Sequence, residues 1–306
     1  MLHDFGREQS APDRRSEPAI SQEYVPYIHI KLGRYLTCGT DYTAAEAEAP
    51  EEYFRIVLEL SDNMPEKAGL LDKCGDAFAR SFLKNANREE DIDNCVLAYE
   101  SAVRLTPEGH SDMSGRLNKL GESLHFRFNL TQDLMDISKA ILNQQEVVHL
   151  TPDGHPNMPS QLNNLGMLFQ SRFECTGDLA DISDAISNQQ KVVHLTPDGH
   201  PNMLSRLNNL GISFGCRFEH TGDLADISNA ISYQQKVVHL TPEGHANMSN
   251  HLNNLGISLG ARFECTGDLA DISNAISYQQ KVVHLTPEGH ANMSNHLHQQ
   301  TLILAM

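Results

Sequence analysis

TPEGHANMSNHLNNLGISLGARFECTGDLADISNAISYQQKVVHL occupies residues 241–285. Met248, Leu252, Leu255, Leu259 and Phe263 recur at steps of three and four, which makes one apolar stripe on a first helix. Thr266-Gly267-Asp268 interrupts it, with Gly suited to stop a helix and Asp268 suited to cap the next one. The second helix carries Leu269, Ile272, Ala275, Ile276, Val282, Val283 and Leu285. Thr286-Pro287-Glu288-Gly289 ends it, because Pro cannot continue a helix and disfavours helical geometry at the preceding residue. The stretch reads as an αα-hairpin.

Its boundaries recur. Thr-Pro stands at 106, 151, 196, 241 and 286, always 45 residues apart. A fixed period of this length marks an array of one supersecondary unit, in which each unit buries its apolar face against its neighbours. The pattern is strong at 106–150, 151–195 and 196–240, and residues 221–252 repeat without change at 266–297. It weakens at 61–105, where Ser61 replaces Thr and Cys74-Gly75 replaces Leu-Gly, and is fainter still over about 24–60. The expected organisation is therefore a disordered lead over 1–20, a degenerate repeat or cap over 21–60, a repeat array over 61–297 and a divergent tail over 298–306. In that tail His298-Gln299-Gln300-Thr301 stands where Asn-Asn-Leu-Gly is expected, and LILAM supplies no polar cap. A truncated or variant terminus is the expectation.

Apolar residues make up 40% of the 306, enough for a continuous spine, and with no Trp the packing falls to Leu, Ile, Val, Met and Ala. Forty acidic against 23 basic residues give a net charge of −17. That disfavours nucleic acid and anionic membrane surfaces, which call for a basic footprint. The six cysteines form no C-x-x-C pair, and Cys175 and Cys265 lie two repeats apart, beyond disulfide reach. Free thiols, no apolar leader and no run of about 20 apolar residues point to the cytosol or nucleus.

The hairpin resembles the tetratricopeptide repeat, in which Leu-Gly on the first helix is followed by Ala on the second and by Pro 12 residues beyond that Ala. Leu255-Gly256, Ala275 and Pro287 keep that offset, as do Leu210-Gly211, Ala230 and Pro242, Leu165-Gly166, Ala185 and Pro197, and Leu120-Gly121, Ala140 and Pro152. Gly costs about 1 kcal/mol of helix propensity against Ala, so its recurrence implies close approach of a neighbouring helix, with Ala as the small partner. The departure is length, 45 residues against the standard 34. Leu-Asn-Asn-Leu-Gly resembles the long repeats of kinesin light chains and, more closely, arrays of basidiomycete fungi that often accompany a caspase-like CHAT domain or an NTPase module. The resemblance implies an all-α, right-handed α-solenoid of about six hairpins, a superhelix whose first helices line a concave groove.

Asn118, Asn163, Asn208 and Asn253 each precede Leu-Gly by two residues. The resemblance places this position toward ligand, and an Asn offers a donor and an acceptor to the backbone of an extended peptide. Alternatively these residues bond to local structure or to the adjacent repeat; Asn164, Asn209 and Asn254 are the better candidates for bonds between helices. Met167, Gln170, Ile212 and Ile257 would line the rest of the groove, equivalent to Glu122 and His125 of an earlier copy. The arginines 127, 172, 217 and 262 stand near Glu174, Glu219 and Glu264, which suggests either ion-paired edges of little energetic worth or recognition of an acidic partner. His149/His155, His194/His200, His239/His245 and His284/His290 flank the Pro turns, where capping is the simplest role and metal ligation lacks converging ligands.

Recurring Asp178/Asp181, Asp223/Asp226 and Asp268/Asp271 have first-turn helical spacing, where negative charge is favoured. No nucleotide, zincin, hydrolase or caspase-type motif is present. Near-identical repeats also lack the asymmetric constellation that chemistry needs. The sequence expectation is thus a non-enzymatic scaffold, without cofactor or metal, that binds a protein or peptide in its groove. The alternative is the regulatory portion of a CHAT-protease or NTPase receptor whose effector lies elsewhere.

Overall fold

The computed structural model describes residues 50–84, 89–286 and 293–305. The expected lead over 1–20 and most of the degenerate repeat lie outside them. The described residues form twelve α-helices and no strand: α1 (Pro50–Glu59), α2 (Lys67–Lys84), α3 (Glu89–Arg104), α4 (Met113–Thr131), α5 (Leu134–Leu150), α6 (Met158–Thr176), α7 (Leu179–Leu195), α8 (Met203–Thr221), α9 (Leu224–Leu240), α10 (Met248–Thr266), α11 (Leu269–Leu285) and α12 (Met293–Ala305). They fall into two compact units, Met1–Gln132 and Asp133–Met306.

In the first unit α2 and α3 form a hairpin, α1 lies against α2, and α4 packs on α3. Phe54 meets Phe78 edge-on at 5.3 Å, and Val57, Leu70, Leu71, Cys74 and Ala102 are fully buried. Gly75 is required here, since a Cβ would sit 2.5 Å from the Tyr99 ring. The second unit contains three successive hairpins, α6/α7, α8/α9 and α10/α11. The second helix of each also packs on the first helix of the next, and α5 and α12 pack at the two ends of the stack. This is the all-α arrangement of helical hairpins that the 45-residue period predicts.

Helices of 19 and 17 residues build each hairpin of the second unit, and together they already exceed the 34 residues of the standard repeat. The longer period is therefore taken up by longer helices. Their inner faces match the predicted stripes only in part. Leu252, Leu255 and Leu259 are buried on α10, whereas Met248 and Phe263 are half-buried. On α11 Ala275 and Val282 are fully buried, but Leu269 and Leu285 are exposed. Both leucines stand at the ends of the helix, and Leu285 lines an open cleft with Met248 and Leu252 of the partner helix.

Both turns follow from sequence. Gly177, Gly222 and Gly267 take the left-handed conformation at φ 69°, and their N–H groups donate to Phe173, Phe218 and Phe263 oxygens at 2.7 Å. Asp178, Asp223 and Asp268 then accept from the N–H of Ala180, Ala225 and Ala270 at 2.9 Å, the predicted N-caps. At the equivalent position before α5 the residue is Gln132, the one non-Gly residue with positive φ among the described residues.

The Thr of Thr-Pro has its own task. Its hydroxyl donates to the carbonyl four residues back, as from Thr196 to Val192 at 2.5 Å and from Thr241 to Val237 at 2.6 Å. This satisfies a C-terminal carbonyl that the helix itself leaves open. The same Thr196 hydroxyl accepts from Arg206 near the start of α8, the helix that follows the turn. His155, His200 and His245 each accept on Nδ1 from the N–H two residues on, at 3.1 Å, so this set of histidines holds the turn.

The recurrent Leu-Gly seats the hairpin. A Cβ at Gly166 would lie 3.1 Å from Gln189 Cγ and 3.3 Å from the Ala185 carbonyl, and at Gly211 3.2 Å from Gln234 Cγ and 3.4 Å from the Ala230 carbonyl. Ala185, Ala230 and Ala275 are wholly buried, as expected of the small partner. At Gly256 the nearest atom is instead Gln279 Nε2, at 2.9 Å.

Candidate interaction face

In the second unit the first helices α6, α8 and α10 present one stripe in the same register. Asn163, Met167, Gln170 and Glu174 share a face of α6, because steps of four, three and four residues return to the same side. Asn208, Ile212, Gly215 and Glu219 repeat it on α8, and Asn253, Ile257, Gly260 and Glu264 on α10. Each helix thus offers an amide, then an apolar residue, then a carboxylate. Met167 is 38% exposed, Ile212 and Ile257 are half-buried, and the three glutamates are exposed. A Cβ at Gly215 would meet nothing within 4 Å, so the stripe on α8 carries a bare depression.

The polar groups of this face are partly engaged already. Asn163 Nδ2 lies 3.4 Å from Met167 Sδ on its own helix. Asn208 Oδ1 accepts from Asn254 of the next first helix at 3.4 Å. Asn253 Oδ1 accepts from Gln279 of its own hairpin at 3.2 Å. Gln170 accepts from the buried Ser213 hydroxyl of the next repeat at 2.9 Å and donates to Glu174 at 3.1 Å. The Asn254–Asn208 contact is the inter-helix bond expected of the second Asn in each pair. In the first unit Asn118, on α4, donates to Glu122 at 2.8 Å.

The arginines behave differently from the sequence expectation. Arg172, Arg217 and Arg262 do not pair with Glu174, Glu219 and Glu264. Each makes a two-pronged bond to an aspartate across the hairpin turn: Arg172 to Asp181 at 2.8 and 2.5 Å, Arg217 to Asp226 at 2.7 and 2.6 Å, Arg262 to Asp271 at 2.7 Å twice. These aspartates are nearly fully buried. They are therefore hairpin clamps as well as first-turn carboxylates, and the bond to the aspartate holds each guanidinium above its usual range. Arg172 also reaches Ser138, and Arg217 reaches Ser183, on the preceding second helix at 3.4 and 3.5 Å.

Clefts recur at the other end of the hairpins, between the start of the first helix and the end of the second. One of about 510 Å³ is lined by Met158, Leu162, Lys191 and Leu195, and one of about 590 Å³ by Met248, Leu252, Lys281 and Leu285. Among the described residues no group of three or more His, Cys, Asp or Glu is placed to hold a metal ion. No helix among them is long and apolar enough to cross a membrane.

No protein-family model matches the chain, and no curated protein matches it. Solved structures do. A putative kinesin light chain of Podosopora anserina, with nearly identical tetratricopeptide-like repeats, superposes with TM-score 0.50 at 13% identity, covering 72% of this chain and 98% of that one. BtubC (BKLC) from P. vanneervenii superposes with TM-score 0.51 at 16% identity, covering 80% of this chain and 91% of that one. At such identities the likeness establishes the fold, a tetratricopeptide-like stack of helical hairpins.

Proposed function

We propose that this chain is a non-enzymatic interaction scaffold that holds an extended peptide or a helix of a protein partner along its first-helix face. The observation that carries the reading is the threefold repetition, in one register, of an amide, a partly exposed apolar side chain and a carboxylate on α6, α8 and α10. A row of this kind suits a ligand that is itself linear, with apolar side chains resting on Met167, Ile212 and Ile257 and backbone groups meeting Asn163, Asn208 and Asn253. The tetratricopeptide-like fold supports the reading, since stacked hairpins expose a long surface without building a closed pocket. The cytosol or nucleus is the compartment this reading implies, given that Cys74, Cys95, Cys216 and Cys265 are free thiols.

The test is affinity capture followed by mutation. A partner captured by the full chain should be lost by Asn163→Ala/Asn208→Ala/Asn253→Ala with helicity retained. Because Asn208 also bonds to Asn254, Asn254→Ala serves as the control that removes the inter-repeat bond and leaves the row intact. Equal capture by the triple variant and the wild type would remove the row from consideration.

A further inference from the structure

The clamp geometry alters the charge of the interaction face. Arg172, Arg217 and Arg262 are the cations that neighbour the three glutamates in sequence, and all three are committed to Asp181, Asp226 and Asp271. Among the described residues Glu174 receives only the amide of Gln170. Glu219 and Glu264 have no ion pair among the described residues. The carboxylates of neighbouring repeats also act on a common point. Burial pushes the Cys216 thiol up to about 11, and Glu219 of its own helix and Glu174 of the preceding repeat push in the same direction. The face therefore combines a partly exposed apolar row with a parallel row of carboxylates that lack a counter-charge, within a chain of net charge −17.

We propose that the partner segment is basic: it presents Lys or Arg side chains to Glu174, Glu219 and Glu264 while its apolar side chains rest on Met167, Ile212 and Ile257. This rests on the docking reading above and gives it a sign. It reverses the acidic partner that a free arginine row would have selected. The lysines beside the clefts at the opposite end of the hairpins do not compete, since Lys191 and Lys281 line those clefts and not this face. Exposed carboxylates carry little desolvation cost, so their contribution is to steer and orient a partner whose affinity comes from the apolar row.

The experiment uses the full chain and fluorescence anisotropy with short labelled peptides of repeated Leu-Lys-Ser or Leu-Glu-Ser. The Leu-Lys-Ser peptide should bind more tightly. Glu174→Gln/Glu219→Gln/Glu264→Gln should weaken it about tenfold, a factor of two or more for each exposed pair. A control, Asp153→Asn/Asp198→Asn/Glu243→Gln, removes the same charge from exposed turn positions and should change binding less than about twofold. Equal loss in both triples would reduce the effect to net charge and overturn the proposal, as would binding of neither peptide. Equal or tighter binding of Leu-Glu-Ser that the Asn triple weakens would overturn the sign and leave the docking face standing. Binding that the Asn triple leaves unchanged would remove the face, and the proposal with it.

Discussion

Two glycines one helical turn apart on α8 separate the cost of a close helix contact from the cost of glycine itself. Gly211→Ala and Gly215→Ala change the unfolded chain in the same way, and each gains up to about 1 kcal/mol from helix propensity and reduced unfolded-state entropy. At Gly215 the added methyl meets nothing within 4 Å, so that gain should appear as stability of about 0.5–1 kcal/mol. At Gly211 the methyl would lie 3.2 Å from Gln234 Cγ, 3.4 Å from the Ala230 carbonyl and 3.5 Å from Tyr233 Cβ. The carbonyl belongs to the backbone of α9 and cannot rotate away, and Gln234 is only 4% exposed. The helices must part by a few tenths of an ångström, and overpacking of this kind costs about 1–3 kcal/mol. The two variants should therefore differ by about 1–3 kcal/mol, with Gly215→Ala the more stable. Guanidinium unfolding followed by circular dichroism measures the difference. Hydrogen exchange on α8 and α9 locates it, which matters in an array where unfolding need not be all-or-none. Equal stability of the two variants, or a more stable Gly211→Ala, would refute the seating of Leu-Gly against the second helix.

Arg217→Ala strands the carboxylate of Asp226, which is 3% exposed; since the guanidinium itself is about a quarter exposed, the loss should fall near the lower end of the range for broken buried pairs, about 3 kcal/mol, read by the same unfolding assay. Asp226→Asn with Arg217 retained should cost less, because the partly exposed arginine can turn to water. His251 stands where the equivalent residue is Arg206, and burial, with the nearby His245, holds its imidazole below the usual range. The unfolded chain then binds more protons than the folded one, so stability should fall as pH drops through about 6.5 and recover above it. His251→Arg should flatten that slope and, if its guanidinium reaches Thr241 as Arg206 reaches Thr196, leave the fold intact; a slope unchanged in the variant would assign the acid sensitivity elsewhere.

The hairpin was legible because each of its signals is local. The apolar steps on α10, Asp268 as N-cap, Gly267 as helix stop and the Gly-Ala offset all concern residues within one or two helices. The end leucines misled because periodicity locates a stripe but not how closely its ends are covered; Leu269 and Leu285 are exposed. The ion pairs were misread for a geometric reason. Glu174 lies two residues from Arg172, and residues two apart on a helix point to different sides. Asp181 is nine residues away, yet the two-residue turn at Gly177-Asp178 folds it back within 2.5 Å of the guanidinium. Since that pairing takes the arginines off the face, the sign of the candidate surface was unreadable until the turn had been built.

The clamp also bears on how such a chain can change in length. Each Arg and its buried Asp come from the same 45-residue block, and the further reach is only to a neutral serine of the block before. Within the second unit, copying or deleting a block in register therefore leaves none of these clamp charges stranded at either junction. This part of the array can grow or shrink by whole repeats without compensating changes to the clamps, and residues 221–252 and 266–297, identical in sequence, are what such a step leaves behind.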